Sequence, residues 1–152
     1  PAYSFMPKGF VVSTIIWPDG SGIEIDIDIV SLHLTFSSEE IRRKQAAELI
    51  DVLQVRNRPV IIMGDFNTEW QSENSSVQFI TEALGLNAYQ PEMTGLETFP
   101  GLGRRLDWIL VSPDFEFRSY RLLPDIVSDH RGVIAELVLK AGHDHGRVKV
   151  PG

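Results

Sequence analysis

The chain has 152 residues, a net charge of −7 and no cysteine. Its length fits one domain able to bury ~68–70% of its unfolded surface, and the lack of thiols excludes disulfides and thiolate metal sites. The acidic charge is dispersed, which argues against a sequence-independent grip on nucleic acid, and no apolar run approaches the ~18 residues of a transmembrane segment. The chain opens at Pro1 with neither a Met nor a signal-like segment, as a processed or truncated product would.

In chain order, Lys8 to Trp17 is expected to form a strand, and Pro18-Asp19-Gly20-Ser21-Gly22 a turn. From Ile23 to Leu34, Ile23, Ile25, Ile27 and Ile29 alternate with Glu24, Asp26 and Asp28. That is a strand with one dry and one wet face, paired as a hairpin with the first. Ser37 and Glu40 form a capping-box pair. The helix they open runs to about Val55, with Ala46, Leu49, Ile50 and Leu53 as its buried stripe and Arg42, Arg43 and Lys44 on a solvated face.

Pro59 to Thr68, PVIIMGDFNT, organises the rest. Val60 to Met63 is a short apolar run bounded by Pro and Gly, the pattern of a fully buried strand. Gly64 is expected to turn the chain out of the sheet, so that Asp65 and Asn67 emerge at the strand's carboxyl end, where ligands bind in α/β sheets. Glu69 to Ser76 reads as a polar loop, Val77 to Leu84 as a short helix closed by Gly85, and Asn87 to Arg105 as a long irregular segment. Leu106 to Val111, Phe115 to Leu123 and Val133 to Leu139 are strands, the last preceded by a polar turn from Val127 to Gly132. Residues 141–152 form a flexible tail, in which His143-Asp144-His145 is a weak metal candidate.

Six polar residues sit at or near strand ends: His33, Asp65, Asn67, Asp107, Asp129 and His130. Gathering three carboxylates is unfavourable unless a cation or histidinium offsets them. Oxygen ligands without thiols suit Mg²⁺, Mn²⁺ or Ca²⁺ rather than zinc. Such a set suits attack of water on a phosphoester, with a carboxylate on the water and imidazole and amide donors on the phosphoryl oxygens.

SLH at Ser31–His33, GDFN at Gly64–Asn67, RRLDWILVS at Arg104–Ser112 and SDHRGV at Ser128–Val133 follow one another in this order. Together they resemble the later motif blocks of the endonuclease/exonuclease/phosphatase family, over roughly Lys8 to Leu139. That family includes divalent-metal nucleases, sphingomyelinases and inositol-polyphosphate phosphatases. The resemblance implies a DNase I-like four-layer α/β/β/α sandwich, of which residues 1–140 supply the C-terminal part. It implies that Asp65 positions or deprotonates water and that Asn67 holds that water or a phosphate oxygen. His130 faces the phosphate with Asp107 behind its imidazole, and Asp129 ligates Mg²⁺ (or Mn²⁺). His33 donates to a phosphate oxygen or the leaving group. Thr98 lines the cleft, and Arg104 and Arg105 are candidates for a phosphate contact. Trp70 and Phe99 lie near the cleft, with a structural role expected of each.

The family's early Asn and its metal-binding Glu have no counterpart here. The metal site is therefore expected to be incomplete, with an inner sheet face left for the missing N-terminal segment or a second chain. The expected activity is metal-dependent hydrolysis of a phosphodiester, the substrate being a nucleic acid, a nucleotide, a phospholipid head group or an inositol phosphate. The competing reading is a truncated or degenerate member that binds phosphate ligands or a protein partner without turnover.

Overall fold

The computed structural model describes residues 8–18, 24–125 and 128–140. The turn expected after Pro18 and the tail with its two histidines lie outside the described residues, as do Val127 and the chain's first seven residues.

β1 (Gly9–Pro18) and β2 (Glu24–His33) pair antiparallel from Gly9↔His33 to Pro18↔Glu24, as the alternating isoleucines predict. From β2 the chain crosses over through α1 (Glu39–Arg56) to β3 (Val60–Asp65), which lies parallel to β2. The N-cap is Ser38, whose hydroxyl accepts the Ile41 N–H, one residue later than the expected Ser37. Ala46, Leu49, Ile50 and Leu53 are buried as expected. So is Arg42, which departs from the solvated-face reading. Its Nη1 donates to the Thr35 carbonyl at 3.0 Å and pins the segment that leaves β2.

α2 (Ser76–Leu84) ends at Gly85 in the left-handed region. The segment that follows is irregular except for the two-residue β4 (Asn87–Ala88) and a 3₁₀ turn at Pro100–Leu102. β5 (Asp107–Val111) then inserts antiparallel between β3 and β4, giving a five-stranded sheet in the order β1-β2-β3-β5-β4. β6 (Phe115–Leu122) and β7 (Val133–Leu139) form a separate antiparallel pair.

Two cores result. Val30, Leu32, Ile62, Trp108 and Leu110 meet α1 and α2 on one sheet face, while Ile27, Ile61 and Val111 meet Phe115, Phe117, Leu137 and Leu139 of β6–β7 on the other. The described residues thus form three layers, helices, sheet and sheet, with no helix outside β6–β7. Because β2 is covered on both faces, the wet face expected of it is not wet throughout. Asp28 is 1% exposed and takes two donors from Arg56, at 2.6 and 2.8 Å, with a third from Thr14. Burial raises its pKa, but these donors outweigh it and hold the carboxyl below its ordinary value.

Gly64 does not turn the chain out of the sheet. It lies within β3 at φ +143°, opposite Leu32, where an added Cβ would meet the Leu32 carbonyl oxygen at 2.0 Å. Glycine is required there because two backbones approach closely.

Candidate active site

The register of the sheet places His33, Asp65 and Asp107 in one transverse row across β2, β3 and β5. Residues paired in this way present their side chains to the same sheet face, here the face that β6–β7 covers. β2 and β3 run parallel and both end at this row, while β5 begins there.

Asp65 is the centre of the row. Its Oδ2 lies 3.3 Å from His33 Nε2 and accepts from Asn67 Nδ2 at 3.2 Å, while its Oδ1 accepts the Asn67 N–H at 2.8 Å. Asn67 makes this turn in the left-handed region, at φ 52°, and also donates Nδ2 to the Leu34 carbonyl at 2.8 Å. Its amide hydrogens are thus engaged by Asp65 and Leu34, so the expected hold on water or phosphate is not through this amide as donor. Burial pushes the Asp65 carboxyl above its ordinary pKa. The Asn67 N–H opposes that shift, and the neighbouring Asp107 charge adds to it.

His130 reaches the row from the turn between β6 and β7. Ser128 shapes that turn: its hydroxyl accepts the His130 N–H and donates to the His130 carbonyl, both at 3.0 Å. His130 Nδ1 then lies 2.7 Å from Asp107 Oδ2, and the ring of Phe99 packs against the imidazole with centroids 4.9 Å apart. Burial lowers the His130 pKa, but the Asp107 hydrogen bond and the charges of Asp107, Asp65 and Asp129 more than offset it, so the imidazole titrates above its ordinary value.

Asp65, Asp107 and His130 offer ligand atoms that all lie within 4.8 Å of one another. The two carboxylates of this group are the kind of oxygen ligand that a hard divalent cation takes, whereas an imidazole suits softer metals. Asp129 stands beside His130 but is exposed and outside this group.

The residues expected to touch substrate divide differently. Thr98 is 0% exposed, so it does not line a cleft. Arg105 is buried: it donates to the carbonyls of Tyr89 and Gln90, and its guanidinium lies 3.9 Å from the Trp108 ring centroid. That commits it to the fold rather than to a phosphate. Arg104 is half-buried and pairs with Glu69 at 2.9 Å. Trp70 packs against Trp108, a structural contact. Glu69 has no sequence signal of its own, since one carboxylate in a polar loop carries no pattern. A cavity of about 430 Å³, lined in part by Glu69, Trp70, Met93, Glu97 and Arg105, borders this segment but includes none of the three clustered residues.

The sequence matches the Endonuclease/Exonuclease/phosphatase family over residues 10–130. No curated protein matches it significantly. Among solved structures it is similar to the human Nocturnin catalytic domain with bound sulfate anion, at 23% identity and a TM-score of 0.64, covering 86% of this chain and 53% of that one. It is similar to a mannosyl-6-phosphatase from Bacteroides thetaiotaomicron at 23% identity and a TM-score of 0.55, covering 79% and 53%. It is also similar to a mutant beta toxin from Staphylococcus aureus with bound magnesium ions, at 16% identity and a TM-score of 0.53, covering 84% and 57%. The chain thus spans about half the length of these neighbours, whose DNase I-like α/β fold it shares. With four-fifths of its residues in the matched span, the chain belongs to the Endonuclease/Exonuclease/phosphatase family.

Proposed function

We propose that the chain carries the hydrolytic groups of a divalent-metal-dependent phosphoesterase, acting on a phosphodiester by direct attack of water. The observation that supports this most is the alignment of His33, Asp65 and Asp107 in one row with His130 held against Asp107. In this reading Asp65 takes the proton of the attacking water, for which a carboxyl of raised pKa is suited. Asn67 orients Asp65. His130, charged and steered by Asp107, donates to a phosphoryl oxygen, and His33 donates to the leaving group or to a second phosphoryl oxygen. Arg104, freed from Glu69, is a further phosphate contact.

A bound Mg²⁺ or Mn²⁺ would offset the negative charge that develops on the phosphoryl oxygens. The clustered carboxylates of Asp65 and Asp107 would supply oxygen ligands, and Asp129, outside that cluster, a further one. The magnesium ions of the beta toxin neighbour support the metal, and the phosphatase name of the Bacteroides neighbour supports phosphoester chemistry without favouring a diester.

A second reading has its own support. Three layers, half the length of the neighbours and exposed apolar residues such as Val11 and Met63 on the face that β6–β7 only partly covers fit a scaffold completed by another segment or chain. Alone, such a scaffold would bind phosphate without turnover. The test is hydrolysis of bis-p-nitrophenyl phosphate in ¹⁸O-labelled water by the chain, Asp65→Ala and His130→Ala. The proposal expects label in the phosphate product and loss of turnover in both variants. Turnover that survives both substitutions would contradict it.

A further inference from the structure

Asp107 and His130 come from different strands and loops, 23 residues apart, yet a single buried residue holds the backbone of both. Thr98 Oγ1 accepts the N–H groups of Leu106 and Asp107, each at 3.0 Å. Its carbonyl oxygen accepts the N–H of Arg131, the residue after His130, at 2.8 Å. The first contact fills a gap in the sheet. β4 pairs with β5 only at Leu110 and Val111, so among the described residues the start of β5 has no strand partner on that side. A hydroxyl oxygen with two lone pairs can take two consecutive amides where no strand is present. The second contact fixes the far side of the Ser128–His130 turn, which Ser128 holds from within. Thr98 is 0% exposed and so cannot reach a substrate, while its neighbour Phe99 packs on the imidazole.

From this geometry we infer that Thr98 is a positioning residue: its two oxygens set the distance between Asp107 and His130. The inference rests on the reading of that pair as part of the reacting site, but not on the chain's being an active enzyme by itself. Thr98→Val keeps the shape and removes the acceptor, leaving the Leu106 and Asp107 amides unpaired in a buried place. Thr98→Ser keeps the acceptor and removes only the methyl group.

The experiment is proton NMR of the full chain, following the His130 Nδ1–H resonance that a short bond to a carboxylate shifts downfield of the amide envelope. The resonance is assigned by its absence in His130→Gln. Wild type and Thr98→Ser should show it, and Thr98→Val, with its amide dispersion intact, should not. Where Thr98→Val fails to fold, Thr98→Cys serves the same comparison, because sulfur is a weak acceptor of similar size. A resonance that persists unshifted in the folded variant would overturn the inference. So would its loss in Thr98→Ser, or its absence from the wild type. Where turnover is measurable, kcat should fall by about 10²-fold in Thr98→Val, the scale of a 1 Å misplacement, with KM within about twofold and most of the loss recovered in Thr98→Ser. If the chain shows no turnover, the proposed activity fails while the resonance still decides the role of Thr98.

Discussion

His130 Nδ1 lies 2.7 Å from Asp107 Oδ2, with the two side chains about three-quarters or more buried. A carboxylate in that position selects the imidazole tautomer, orients the ring and stabilises its protonated form. Asp107→Asn keeps the shape and loses the charge. Hydrolysis of bis-p-nitrophenyl phosphate by this variant should fall by about 10²–10⁴-fold in kcat, with far-UV circular dichroism unchanged.

The two shifted groups set a pH profile. Asp65 must be deprotonated to accept a proton, so activity should rise through a pKa above the ordinary 3.8. His130 must be protonated to act as a cationic donor, so activity should fall through a pKa above the ordinary 6.5. The profile of kcat/KM is thus bell-shaped with both limbs displaced upward, and Asp107→Asn should move the alkaline limb down. In stability, the raised His130 pKa contributes a term that is complete below about 6.5 and is lost as pH rises through the folded value. Urea unfolding across that range, beside His130→Gln, checks it.

Burial and the Asp107 charge both disfavour the ionised form of Asp65 and raise its pKa. Asp65→Asn removes that conflict while leaving an oxygen to accept the Asn67 N–H. The expected outcome is loss of activity with a gain in Tm of about 2–4 °C, the effect of ~1 kcal/mol in a chain of this length. Differential scanning calorimetry at neutral pH reads it, and the gain should disappear well below the ordinary carboxylate range.

Gly64→Ala should be among the most damaging single substitutions. The added Cβ would meet the backbone of Leu32, not a side chain that can move, and the residue's φ of +143° is itself strained for alanine. A loss of about 3 kcal/mol or more in urea unfolding is expected. The row one residue further on, His33 beside Asp65, would be displaced with it.

Much of this was legible in the sequence because its signals are local. Alternating isoleucines gave the β1–β2 pair, a bounded apolar run gave β3, and Gly85 closed α2. The strand-end polar residues His33, Asp65, Asp107 and His130 do converge on one sheet end. What escaped depends on layers that a sequence does not display. Asp28 looked solvated because its partner Arg56 arrives from a helix end 28 residues later. Gly64 looked like a turn because the cause of its conformation is the carbonyl of Leu32 on another strand. Arg105 looked like a phosphate ligand until its guanidinium was seen between Trp108 and the carbonyls of Tyr89 and Gln90. Thr98 is expected from the sequence to line the cleft, but it is buried, with its hydroxyl oxygen on the Leu106 and Asp107 amides, contacts that no local pattern displays.

In the proposed reaction, one cluster around Asp65 hydrolyses a phosphodiester with the help of a divalent ion. The most direct test is the rate of bis-p-nitrophenyl phosphate hydrolysis by the wild-type chain with Mg²⁺ and after EDTA, beside Asp65→Ala. Turnover should disappear with EDTA, return on adding Mg²⁺ or Mn²⁺, and be absent from the variant. A rate indifferent to EDTA, or equal in wild type and Asp65→Ala, would contradict it.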